Sequence, residues 1–169
     1  MSTFVTVNTY AYSVAYITDK MMSSLKGIIR RIGLSPTRFS NSWTTLESGV
    51  KTWLSGRHFT GITLEVFKPL SNKLVTRWDF TIDYGYSTGD EGHLWLDADA
   101  IRFAICKCGV IPSTCEYRVI VFTKPGSPDL NGWSTCSCLS TDGFVRHSLG
   151  TTIGASHLWA STSYWRRNR

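Results

Sequence analysis

The chain has 169 residues, a formal net charge of +6, 42% hydrophobic and 13% aromatic residues. That size and composition suit one globular domain that needs no metal or disulfide to hold its core, and they argue against a disordered chain. No apolar run reaches the roughly 20 residues of a membrane span, and Met1 to Asn8 lacks a basic stretch followed by an apolar one, so a cytoplasmic location is expected.

Residues 1–9 are polar, β-prone and uncapped and read as a flexible leader. Val14, Ile17, Met21, Leu25, Ile28 and Ile32 then step by three and four, which predicts a helix from Tyr10 to Ile32, closed by Gly33 and Ser35-Pro36. A second helix is predicted from Asn41 to Leu54, capped by Asn41 or Ser42, with Trp43, Leu46, Val50, Trp53 and Leu54 on one face. Ile62, Leu64 and Val66 alternate with Thr63, Glu65 and Phe67. Leu74 to Tyr84 alternates over its whole length. Together the two runs predict an antiparallel hairpin whose second strand is half-exposed.

After a loop at Gly85 to Gly92, Asp97 caps a third predicted helix, Ala98 to Cys108, with Asp99 in its first turn. Tyr117 to Lys124 is the most strand-like run in the chain. Its apolar residues on both faces place it centrally in the sheet, covered by helices on at least one side. Pro125-Gly-Ser-Pro-Asp129 stops it. The order of elements predicts an α+β domain, three helices packed on an antiparallel β-sheet.

The remaining residues, Leu130 to Arg169, show no helical period. Strand-like fragments lie near Trp133 to Leu139 and Phe144 to Leu149, broken by Gly143, Gly150 and Gly154. Five large aromatics (Trp133, Phe144, Trp159, Tyr164 and Trp165) must bury against the core, a partner peptide, or both.

Catalytic motifs are absent. There is no phosphate-binding loop and no nucleophile elbow. Asp97-Ala-Asp99 is better explained by helix capping than by a metal pair, because side chains two apart on a helix diverge by about 200°. His58, His93, His147 and His157 have no carboxylate or cysteine at a ligand or triad spacing, so no enzyme is expected. The five cysteines include two C-x-C pairs, Cys106/Cys108 and Cys136/Cys138, whose spacing does not match common zinc sites. No metal or cofactor is expected. Arg166-Arg167-Asn168-Arg169 is the one local cluster of basic charge. It supports a competing reading, a small basic nucleic-acid-binding module that uses its charge and aromatics.

Several long blocks carry a more specific signal: Asn8-Thr-Tyr10 with Tyr16-Ile-Thr-Asp-Lys-Met21, Lys51-Thr-Trp-Leu54, Tyr117-Arg-Val-Ile-Val-Phe-Thr-Lys-Pro-Gly126, Ser140-Thr-Asp-Gly-Phe-Val-Arg146, Gly150-Thr-Thr-Ile153 and Tyr164-Trp-Arg-Arg167. In these blocks the chain resembles the bacterial HORMA-domain proteins of CBASS anti-phage operons, over essentially its full length.

The resemblance implies one HORMA domain over residues 1–169: leader 1–9, core 10–124 and a C-terminal safety belt 125–169. The belt closes over a short closure-motif peptide and traps it as an added strand. The closed form binds and activates a cGAS/DncV-like nucleotidyltransferase, and an AAA+ ATPase grips the N-terminus and reopens it. Another HORMA protein is a further implied partner. On this resemblance Trp133, Phe144, Val145, Leu149 and Ile153 are the belt residues that pack over the peptide or the core. Pro125, Gly126 and Gly143 form the hinge, and Ser2, Thr3, Phe4, Val5 and Thr6 serve the remodeller.

Overall fold

A computed structural model describes residues 9–85, 94–109 and 111–168. The leader residues Ser2, Thr3, Phe4, Val5 and Thr6, the centre of the Gly85 to Gly92 loop and His93 lie outside the described residues.

The first helix, α1 (Thr9–Arg31), follows its sequence pattern. Val14, Ile17, Met21, Leu25, Ile28 and Ile32 are all buried, and Lys20, Arg30 and Arg31 are not. The second predicted helix differs. A separate turn, α2 (Thr37–Asn41), precedes α3 (Trp43–Ser55). Ser42 divides them: its N–H donates to Arg38 O and Phe39 O, which ends α2, and its side chain makes no capping bond. The extra turn exists because Phe39 is drawn into the core. Its backbone N–H donates to the Tyr117 hydroxyl, and that hydroxyl donates to Ser35 O. Tyr117, which joins Phe39 to Ser35, is 78 residues from Phe39, so a local pattern does not foretell the turn.

The hairpin forms as expected from β1 (Phe59–Lys68) and β2 (Lys73–Tyr84), with Ile62 opposite Phe80 and Leu64 opposite Trp78. β2 alternates buried and partly exposed residues. β1 does not: Gly61 to Val66 is buried on both faces. Gly61 is required there, because a Cβ would stand 2.8 Å from the Phe80 carbonyl oxygen. A two-residue strand, β3 (Trp95–Leu96), leads into α4 (Ala98–Lys107). Asp97 accepts a hydrogen bond from Ala100 N at 3.1 Å and caps α4, while Asp99 pairs with Arg102 at 3.3 Å. The two carboxylates diverge as a helix requires.

β4 (Glu116–Thr123) corrects the sequence reading. The sheet runs β3-β5-β6-β2-β1-β4, so β4 is at an edge and not central. Its apolarity on both faces has another cause: the chain after Thr123 folds back over it, as described below.

The tail carries β5 (Phe144–Ala155) and β6 (Leu158–Arg167), an antiparallel hairpin whose second strand pairs with β2. Gly150 and Gly154 do not break β5. They lie inside it, where the register shifts twice, between Ser148 and Gly150 and between Thr151 and Ile153. The predicted strand near Trp133 to Leu139 is irregular chain instead.

Helices lie on one face of the sheet. Ile153, Leu158, Ala160 and Tyr164 of the tail join α1, α3 and the hairpin in one hydrophobic core, and Tyr164 stacks on Trp78 at 5.1 Å. The tail is therefore part of the core. No helix among the described residues is long and apolar enough to cross a membrane.

Candidate functional site

The site is built where the chain leaves β4. β4 pairs on one side only, with β1: Val119 faces Leu64, Ile120 faces Thr63 and Val121 faces Ile62. Its outer edge has no strand partner among the described residues. A row of unpaired backbone N–H and C=O groups is a template for an extended segment of another chain. Soluble proteins usually hide such an edge, and here the following segment encloses it.

Lys124 N donates to His58 O, and Ser127 N to Lys124 O, closing a tight turn at Pro125-Gly126. Gly126 has φ +83, a conformation that side chains resist, so glycine belongs there. The chain then runs beside α3 on the helix side. The Trp53 indole N–H donates to Pro128 O at 2.9 Å, and Trp133 meets Trp53 edge-on at 4.9 Å between centroids. Gly49 makes this contact possible: a Cβ there would come within 2.6 Å of the Trp133 ring.

Past Trp133 the segment crosses to the other face of the sheet and is fastened a second time. Arg118 and Glu65 stand opposite each other on β4 and β1, and their side chains pair at 2.7 Å. Each also holds the crossing segment by its backbone. Arg118 donates to Ser137 O at 2.6 Å, and Glu65 accepts from Leu139 N at 2.8 Å. Glu65 is wholly buried, its side chain 0% exposed. A carboxylate with no water around it persists only when paired and hydrogen-bonded, and both partners here serve one purpose.

Asp79 extends the polar platform, accepting from Thr63, Arg77 and the Trp165 indole. Cys138 lies over it, and burial pushes its thiol above the usual range despite the opposing pull of Arg77.

The segment thus starts on the helix face and ends on the opposite face, passing round the free edge of β4. Between them lies a groove of about 300 Å3 walled by Val119, Ile120 and Val121 on the strand, Trp53 behind, and Leu130 and Trp133 on the covering segment. Thr123, Ser127, Asp129, Ser134 and Thr135 also line it, so the groove mixes apolar walls with polar side chains, and Asp129 is its one carboxylate. A free strand edge beside such a groove can accept an added strand through main-chain hydrogen bonds.

Of the sequence-derived belt residues, Trp133 alone lines this groove. Phe144, Val145, Leu149 and Ile153 are on β5, which β6, β2 and β1 separate from β4. There Ile153 is fully buried, Leu149 packs against the core, Phe144 sits under the Arg167 guanidinium at 4.9 Å, and Val145 is 39% exposed. These four pack on the domain and do not meet Trp133. Pro125 and Gly126 form the turn that starts the crossing, and Gly143, φ +80, lies in the turn that ends it.

The residues that sequence reading missed are Glu65 and Arg118. Their signal was a Glu and an Arg placed inside otherwise apolar strands, where an unpaired charge is costly. All five cysteines are free: Cys106 and Cys108 are at the end of α4, and Cys136 and Cys138 on the crossing segment. Among the described residues no group of three or more His, Cys, Asp or Glu is placed to hold a metal.

The fold is shared by several solved structures. A chain of the mitotic checkpoint complex superposes with a TM-score of 0.75 at 11% identity, over 93% of this chain and 99% of that one. C. elegans HTP-2 bound to the HIM-3 closure motif gives 0.68 at 12% identity, over 98% and 99%. A chain of the E. coli MS115-1 CdnC:HORMA-deltaN complex gives 0.62 at 9% identity, over 100% and 94%. At these identities the likeness is one of fold, and the fold is HORMA. No curated protein shows a significant match to the chain. The chain belongs to the bacterial HORMA domain 2 family, whose model matches residues 1–168.

Proposed function

We propose that this protein is a non-enzymatic conformational switch that captures a short peptide as an added strand on β4. The single observation that carries the reading is the free β4 edge inside a closed loop of its own chain, clamped at Trp53 on one face and at Glu65–Arg118 on the other. Along Val119 to Thr123 alternate residues turn their N–H and C=O to the free edge while the others face β1, which suits a peptide of roughly five residues. Segment 125–143 is the working belt. The β5–β6 hairpin anchors its far end on β2, and Pro125, Gly126 and Gly143 are its turning points.

The fold neighbours support the peptide: HTP-2 was solved with a closure motif bound. The complex of CdnC with a HORMA chain supports a second partner, a cGAS-like nucleotidyltransferase that the peptide-bound form activates in CBASS anti-phage signalling. Reopening by an AAA+ remodeller at residues 2–6 completes the cycle. A ligand held only by the closed state shifts the population toward it, and a few kcal/mol of preference suffices.

The test is a peptide selected from a random display library on the full chain, with its affinity measured by calorimetry. Trp133→Ala is expected to weaken it at least tenfold, since aromatic anchors at the centre of an interface cost about 2 kcal/mol or more when truncated. Unchanged affinity would move the peptide site elsewhere.

A further inference from the structure

At the end of the sheet where β1 turns into β2 lies a second hollow, of about 760 Å3. The β1–β2 turn, the C-terminal end of α4, the start of β5 and the end of β6 meet around it. Its charged lining is of one sign. Lys68, Lys73, Lys107, Arg166 and Arg167 contribute five cations, and no carboxylate is among the lining residues. None of the five makes an ion pair among the described residues. Uncompensated like charges repel one another, and an anion at their focus relieves that cost.

Two of the cations are already positioned. Arg166 donates to Lys107 O at 3.0 Å, and the Arg167 guanidinium lies on the Phe144 ring. The His147 imidazole also lines the hollow and stacks on Tyr164 at 5.0 Å and 18°, a flat aromatic surface beside the charges.

We infer that this cavity binds a phosphate-bearing ligand of nucleotide size. Guanidinium forks and ammonium groups match phosphate oxygens, and the volume falls within the range of small-molecule sites. The cations converge on a hollow, whereas a duplex backbone needs them along an open face. The site is also composite: Lys68, Lys73 and Lys107 come from the core, and His147, Arg166 and Arg167 from the tail hairpin. Its ligand therefore favours the arrangement in which β6 lies on β2, whether or not a peptide occupies the β4 groove.

The experiment is calorimetry on the full chain with ATP and with inorganic phosphate, at low and at physiological salt, beside anisotropy with a short DNA duplex and with an oligoglutamate peptide. ATP is expected to bind more tightly than phosphate, to weaken with salt, and to raise Tm. Lys73→Glu, at an exposed position with no partner to lose, is expected to weaken ATP about tenfold with Tm of the free protein unchanged. Arg166→Glu is expected to weaken it more, but it also surrenders the bond to Lys107, so Lys73→Glu decides. Failure of ATP to bind, or ATP binding indifferent to Lys73→Glu, would overturn the proposal. So would binding of the duplex or of oligoglutamate without ATP, which would make the hollow a contact for nucleic acid or for an acidic protein.

Discussion

Replacing Glu65 by Ala is expected to destabilise the protein by about 3 kcal/mol, the low end of the cost of breaking a buried ion pair, because the Arg118 left behind is 34% exposed and can meet water. For a domain of this size that is a fall in Tm of roughly 6–12 °C, read by circular dichroism. The cost has two parts. Arg118 loses its counter-charge at 2.7 Å, and Leu139 N loses the carboxylate oxygen that accepts from it.

The second part has a local readout. The crossing segment is released from β1, and the Cys138 thiol, now held high by burial over Glu65, Arg77 and Asp79, becomes accessible. Alkylation of Cys138 should accelerate in Glu65→Ala while that of the exposed Cys106 stays as it was. Glu65→Gln should fall between, because an amide oxygen still accepts from Leu139. Glu65→Met with Arg118→Met should recover much of the stability, since a buried pair is often replaceable by apolar groups of similar volume. It should not recover the hold on Ser137 and Leu139. Stability and belt attachment would then separate in one pair of variants.

Trp53→Ala carries the other large effect, about 3–5 kcal/mol for emptying a nearly buried indole site. Trp53 is a core residue of α3 on one side and the first anchor of the belt on the other, through Pro128 O and Trp133. Trp53→Phe isolates the second role: it keeps most of the packing and removes the N–H. Its cost should be near 1 kcal/mol, the net worth of one hydrogen bond. Peptide affinity should fall in Trp53→Phe although the fold survives. A loss of stability with affinity intact would mean that the indole N–H serves the core alone.

Local pattern revealed most of the elements and little of their arrangement. The α1 stripe, the β1–β2 hairpin and the Asp97 cap are all set by neighbours within a few residues, so they were readable. β4 was misplaced because apolar residues on both faces report that a strand is covered, and not what covers it. In a centre strand the cover is sheet and helices; here it is the chain's own continuation, 10 or so residues downstream. Of the tail aromatics Tyr164 is buried and Trp133, Phe144, Trp159 and Trp165 are half-buried, and four of the five belt candidates lie on β5, with three strands between them and β4, because β6 pairs with β2 and β5 with β6. That pairing is long-range, and β-rich polar sequence with glycines does not disclose it. Glu65 and Arg118 were visible as charges in apolar strands, yet their partnership depends on register, and their hold on Ser137 and Leu139 on a crossing that no periodicity encodes.

The central claim is that β4 receives a strand beneath the belt. Hydrogen–deuterium exchange on the full chain, free and with the selected peptide, tests it most directly. The account predicts new protection in the amides of Val119 to Thr123 that face the groove, together with slowed exchange at Ser134 to Leu139. A peptide that binds tightly while β4 exchanges as in the free protein would contradict it.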